Sequence, residues 1–163
     1  MLAPLVLLAI GFVVWKLWAP AMAWAPSFAA LLERPVRKTG WLPFITGLET
    51  AGGEFQGRPV LLALHHKRGR HSLGYLVVAM QPRAGSAQAP APLGLLPTSD
   101  ARTALDELEG REGLNVSFDD GWLKVRWQPG GFTMFPGPFD AARWRRVLLA
   151  MSLVVTALEA PAS

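Results

Sequence analysis

Six side chains able to do chemistry crowd into residues 65–71: His65, His66, Lys67, Arg68, Arg70 and His71. With Arg68-Gly69 as a two-residue turn, His66 and His71 face each other across a hairpin with Cβ atoms about 5 Å apart, close enough to share a metal ion. A stable site needs a third ligand, and His65 points to the opposite face of its strand. The simplest reading is a solvated hairpin tip; in a further one Lys67, Arg68 and Arg70 meet lipid headgroups or an acidic partner, with the histidines adding titratable charge. A second basic group, Arg143, Arg145 and Arg146, falls near the start of the last helical pattern. There it opposes the helix macrodipole, which costs about a few tenths of a kcal/mol and invites a phosphate headgroup or a partner carboxylate.

The carboxylates are poorly placed for acid–base work. Asp106, Glu107, Glu109 and Glu112 lie on an amphipathic helix or its exit, and Asp119 and Asp120 make a turn. Without cysteine there is no disulfide, thiolate nucleophile, iron–sulfur cluster or Cys-type zinc site. No G-x-S-x-G, Walker-type loop, G-x-G-x-x-G or H-E-x-x-H occurs. The pairs Gly52-Gly53 and Gly130-Gly131 lack the strand-to-helix context of a phosphate cradle. Trp122 and Trp127 have the strand spacing of core or interface residues and not that of a base-stacking platform, so no nucleic acid is expected. No cofactor and no bound metal is expected either.

The elements that carry these groups sit in an apolar chain. Hydrophobic residues make up 51% of its 163 positions and charged residues 17%, with net charge +4. The mean hydropathy is +0.26 and the pI about 10.1. This balance excludes a disordered protein and leans toward membrane contact. Residues 1–32 hold one charged side chain, Lys16. Leu2 to Val14 is apolar throughout, and Pro4 falls in the first turn, where its missing N–H costs nothing. From Met1 to Trp18 a helix is roughly 27 Å long, just enough to span the ~30 Å hydrocarbon layer. Leu5, Leu8 and Phe12 carry this anchor, Trp15, Trp18 and Trp24 form an aromatic belt at its far boundary, and Lys16 snorkels to the headgroups. Two competing readings are a signal peptide cut after Ala23 or Ala25, though without a basic leader, and a monotopic hairpin returning through Pro20 and Pro26.

Lys16, Arg34, Arg37 and Lys38 lie on the C-terminal side of the apolar run against one acid, Glu33, so the positive-inside rule puts the domain on the cytoplasmic side of the cell inner membrane, single-pass. The expected order is a membrane anchor at 1–26, an interfacial connector at 27–40 with Phe28, Leu31 and Leu32 on one face, and a single domain at 41–163. Within it, GLETAGGEF, Arg58 to His66 and His71 to Gln81 read as a β-meander turning at Gln56-Gly57 and Gly69. Val60 to Leu64 is apolar at both parities, which predicts a strand covered on two faces. A Pro/Ala/Gly-rich connection at 82–97 precedes a short helix capped near Thr98 and ended by Gly110. Asp120-Gly121 marks a second hairpin, and Phe132 to Phe135 a sixth strand. The C-terminal helix, from Phe139 or Asp140 to Glu159, places Trp144, Val147, Leu148, Met151, Val154, Val155 and Leu158 on one stripe. The segments 98–112 (net −3) and 33–83 (net +5) suggest opposed poles, one toward the membrane and one toward the cytosol.

The fold class expected is α+β: an N-terminal membrane helix, then an antiparallel sheet of about six strands packed against a long C-terminal α-helix. With a marginal anchor, four of the seven tryptophans in the first 41 residues and no active-site pattern, the expected function is noncatalytic. It is that of an accessory or assembly subunit of a larger membrane protein complex, for instance an energy-converting one, touching protein and anionic lipid headgroups. The alternative is a small membrane-tethered enzyme or a ligand- or metal-binding domain built on the His66/His71 hairpin.

Overall fold

The computed structural model describes residues 6–8, 11–12, 24–38, 50–66, 73–83, 93, 96, 98–128 and 138–159. The chain is α+β. One antiparallel sheet holds β1 (Glu33–Lys38), β2 (Thr50–Phe55), β3 (Arg58–His66), β4 (Leu73–Met80), β5 (Asn115–Asp119) and β6 (Trp122–Trp127), in the order β1-β2-β3-β4-β6-β5. Helical residues 24–29 (α1), Ser99–Asp106 (α2) and Ala141–Glu159 (α3) share one core with the sheet. Among the described residues no helix is long and apolar enough to cross a membrane.

Local chemistry makes both tight hairpins. Gln56 and Gly57 (φ 52° and 71°) join β2 to β3, and Asp120 and Gly121 (φ 53° and 76°) join β5 to β6. Two successive positive φ values match the right-handed twist of the flanking strands. Alternation then sorts the sheet into two faces. Ala51, Phe55, Val60, Leu62, Leu76, Val78, Met80, Leu123 and Val125 are buried on the helix side. Leu61 and Val36 are exposed on the other side, so β3 lies inside the sheet but is covered on one face only.

The β3–β4 pairing departs from the sequence reading. A turn at Arg68-Gly69 opposes His66 to His71, but the observed register opposes Val60 to Met80, Leu62 to Val78 and His65 to Tyr75, and a bulge then brings His66 to Leu73. The difference is an odd number of residues, and an odd slip turns a strand's inward side chains outward. The expected turn would place Leu62 and Val78 on opposite faces. Their burial at one face selects the longer six-residue connection instead.

The first folded residues are also placed differently. Trp24, assigned to the membrane boundary, is 1% exposed in the core, together with Ala25, Phe28 and Ala29 on the same side of α1. Leu32 is buried, and the residues expected as a surface connector pair as β1 with β2. The reason is packing: Gly53 lacks the Cβ that would come within 3.0 Å of Leu32 Cβ and of the Glu33 carbonyl oxygen, so the chain after α1 can lie directly on β2. Thr98 caps α2 as expected, its Oγ1 accepting from the Ala101 N–H at 3.3 Å. The helical run ends later than Gly110, because a π-helical stretch, Glu107–Arg111, carries it to Gly113 (φ 63°), after which the Leu114 N–H donates to the Leu108 carbonyl at 3.0 Å. The strand expected at 132–135 and most of the 82–97 connection lie outside the described residues.

Candidate functional site

Two polar and aromatic clusters mark the two ends of the sheet. At one end β3 begins with Arg58, whose alternation with Val60 and Leu62 turns a guanidinium into the core, where it is 3% exposed. The last turns of α3 meet it. Arg58 Nε donates to Glu159 Oε1 at 3.0 Å, Nη2 to Glu159 Oε2 at 2.8 Å and to Thr156 Oγ1 at 2.9 Å, and Nη1 to Ser152 Oγ at 3.1 Å. The Ser152 hydroxyl donates in turn to Gln56 Oε1 at 2.6 Å, and the Arg83 backbone N–H donates to Glu159 Oε1 at 2.8 Å. The fork of the guanidinium matches the two carboxylate oxygens, a geometry that lysine cannot supply.

These bonds hold the Glu159 carboxyl below its ordinary pKa: the Arg58 hydrogen bond is the largest cause, burial opposes it, and the Arg83 N–H adds to it. Lys124 is shifted upward by its hydrogen bond to Asp119. Both groups are held in the charged form they already have at neutral pH, which suits a brace and not a proton shuttle. Among the described residues Ser152 hydrogen-bonds through its hydroxyl to a guanidinium and an amide and to no base that could activate it. Among the described residues no buried side-chain nitrogen or oxygen lacks a hydrogen-bond partner. No three metal-binding side chains converge among them either.

The other end is aromatic. Trp24 stacks on Trp127 (centroids 5.8 Å) and meets Phe139 and Trp144 edge-on at 5.1 and 5.7 Å, while Phe28 closes on Phe139 and Trp144. Asp140 caps α3 by accepting from the Arg143 N–H at 3.0 Å. The Arg143 guanidinium lies 5.1 Å from the centroid of Trp127, and its Nε donates to Glu112 Oε2 at 2.7 Å. Arg146 reaches Glu112 Oε1 at 3.5 Å. The anion invited by the basic start of α3 is thus a carboxylate of this same chain, 31 residues away for Arg143. That contact ties the end of the acidic segment 98–112 to the start of α3. Arg145 is exposed, with no carboxylate within ion-pair distance among the described residues.

Strand direction relates the two ends. From Arg58, beside the last turn of α3, β3 runs to His66, and Leu76 pairs with Trp127, which touches Trp144 in the first turn of α3. His66 and Leu73, the residues that the basic stretch 67–72 joins, therefore share the aromatic end with Trp24, where the chain coming from the apolar N-terminus enters the fold. Lys67, Arg68, Arg70 and His71 lie outside the described residues, as do Leu5, Trp15, Lys16 and Trp18. Leu8 and Phe12 are described, in helical backbone, and their side chains are exposed together with those of Val6 and Leu7.

On the sheet face away from the helices, a groove of about 610 Å³ runs along β1 to β3. Val36, Gly52, Pro59 and Leu61 line it, and an Arg34–Glu54 ion pair of 3.5 Å sits at its rim. Such a lining suits an apolar side chain better than a polar substrate. No protein-family model, curated protein or solved structure matches the chain. Its function has to be derived from its own side chains.

The sequence reading missed Arg58. The available signal was its parity: a charged residue two positions before Val60, on the side of β3 that must be apolar.

Proposed function

We propose that the chain is a noncatalytic, membrane-tethered accessory or assembly subunit of a larger membrane protein complex, an energy-converting one being the case in view. The observation that carries this reading is the exposure, between 51% and 71%, of Val6, Leu7, Leu8 and Phe12, helical apolar residues ahead of the folded unit. Isolated apolar side chains are ordinary on a protein surface, but four within seven positions of a nearly uncharged segment call for an apolar cover. A bilayer supplies it. The N-terminal segment then forms a single membrane helix, with the domain on the cytoplasmic side of the inner membrane.

The tether leads into the fold at Trp24, at the end where Arg145 and the strand termini flanking Lys67, Arg68 and Arg70 lie. That arrangement suits contact with anionic headgroups. The polar clusters support the noncatalytic part, since their bonds are used within the fold.

Gentle detergent extraction followed by mass spectrometry of the isolated particle tests this reading. The expected result is co-isolation with other membrane proteins in fixed ratio. Recovery as a lone chain, or with a stoichiometric metal or small molecule, contradicts it and favours the ligand-binding alternative.

A further inference from the structure

Among the described strands, the two edges of the sheet are guarded differently. β1 carries Pro35, which has no N–H to donate, a register irregularity between Glu33 and Val36, and Arg34 at φ 48°. Bulges, prolines and twisted backbone are the devices that keep an edge from pairing with another chain. Edge β5 (NVSFD) contains no proline, lysine or bulge.

The β5–β6 register shows which backbone groups β5 leaves open. In a two-residue hairpin the flanking pair, Asp119 and Trp122, is hydrogen-bonded, and so are Ser117 with Lys124 and Asn115 with Arg126. The N–H and C=O groups of Val116 and Phe118 therefore point away from β6. Among the described residues neither has a backbone partner outside the sheet. Their side chains are only partly buried on the face where Leu123 and Val125 of the next strand are fully covered.

We propose that β5 pairs antiparallel with β5 of a second copy of this chain about a twofold axis at Ser117, joining two sheets into one. In that register Val116 and Phe118 of one copy exchange hydrogen bonds with Phe118 and Val116 of the other, four bonds in all. The same contact covers the half-buried apolar pair. Asn115 faces Asp119 across the junction and Ser117 faces itself, so no like charges are opposed. This self-complementarity distinguishes a second copy from an arbitrary extended peptide. The pairing does not depend on the membrane reading.

The cysteine-free sequence gives a direct test. At the axis Ser117 forms a non-hydrogen-bonded pair with Cα atoms about 4.5 Å apart, within disulfide range. Two copies of Asn115 lie about 14 Å apart, outside it. In the full chain in mild detergent, Ser117→Cys should give a reductant-sensitive covalent dimer on mild oxidation, and Asn115→Cys should stay monomeric. The unmodified chain should sediment with twice its 17.7 kDa protein mass. Ser117→Asp, which sets two carboxylates face to face at the axis, should lose that doubled mass while its melting transition stays cooperative. A single-chain mass for the unmodified protein, equal cross-linking at 115 and 117, or a dimer that survives Ser117→Asp overturns the proposal.

Discussion

Arg58 shows how one side chain fixes the relation between sheet and helix. A guanidinium at an inward position of β3 is tolerable because Glu159, Thr156, Ser152 and the turn residue Gln56 together satisfy it and its partners. Removing one member of a buried ion pair leaves the other charge uncompensated, so Arg58→Ala should destabilise the fold by about 3–5 kcal/mol in urea unfolding. Because the folded-state pKa of Glu159 is lowered, its contribution is present above the unfolded carboxylate value of about 4.3 and is lost as pH falls through the lower folded value. Glu159→Gln should therefore be less stable than the parent at pH 7, with the gap narrowing below about pH 4. A gap that does not change with pH means the carboxylate is not stabilised by folding. Arg58 could have been found by its parity, but its partner, 101 positions later, carries no local signal.

At the scale of elements, the sequence was legible wherever the physics is local. Asp120-Gly121 and Gln56-Gly57 supply the positive φ values that their turns need, and the α3 stripe appears with Trp144, Val147, Leu148, Met151, Val154 and Val155 buried. Leu149 and Leu153, off that stripe, are 43% and 51% exposed. Leu148→Ala should accordingly cost about 2–4 kcal/mol and Leu149→Ala less than about 0.5 kcal/mol, measured by chemical denaturation. Equal losses would place α3 differently on the sheet. What stayed illegible was non-local. The β3–β4 register is decided by which side chains share the helix face, so a plausible turn at Gly69 misaligned His66 and His71. Trp24 has the composition of a membrane boundary residue, and only the tertiary position of Trp127 and Trp144 makes it a core residue. Gly53 supports that placement by leaving room for Leu32, so Gly53→Ala should cost about 1–3 kcal/mol in thermal or chemical unfolding. A smaller loss would mean that α1 and β1 can shift away from β2.

At the scale of the whole molecule, β3 and α3 have matched lengths, nine and nineteen residues, each roughly 30 Å, so the sheet has two distinct ends. One end is braced by the Arg58 cluster. The other receives the chain from its apolar N-terminus and carries the aromatic core, Arg145 and the strand ends flanking Lys67, Arg68 and Arg70. The proposed tether would meet the fold at Trp24, so a truncation that separates them has to stop before it. Removing residues 1–38 would take away α1 and β1 as well. The most direct test is flotation with anionic vesicles of the full chain against a chain beginning at residue 22. The full chain should float and remain bound in high salt. The shortened chain should keep a cooperative melting transition, bind weakly at low salt through its basic residues, and be released when salt shortens the Debye length below about 8 Å. A full chain that stays unbound without detergent, or a shortened chain that floats equally well in high salt, would contradict a tether in the first 21 residues.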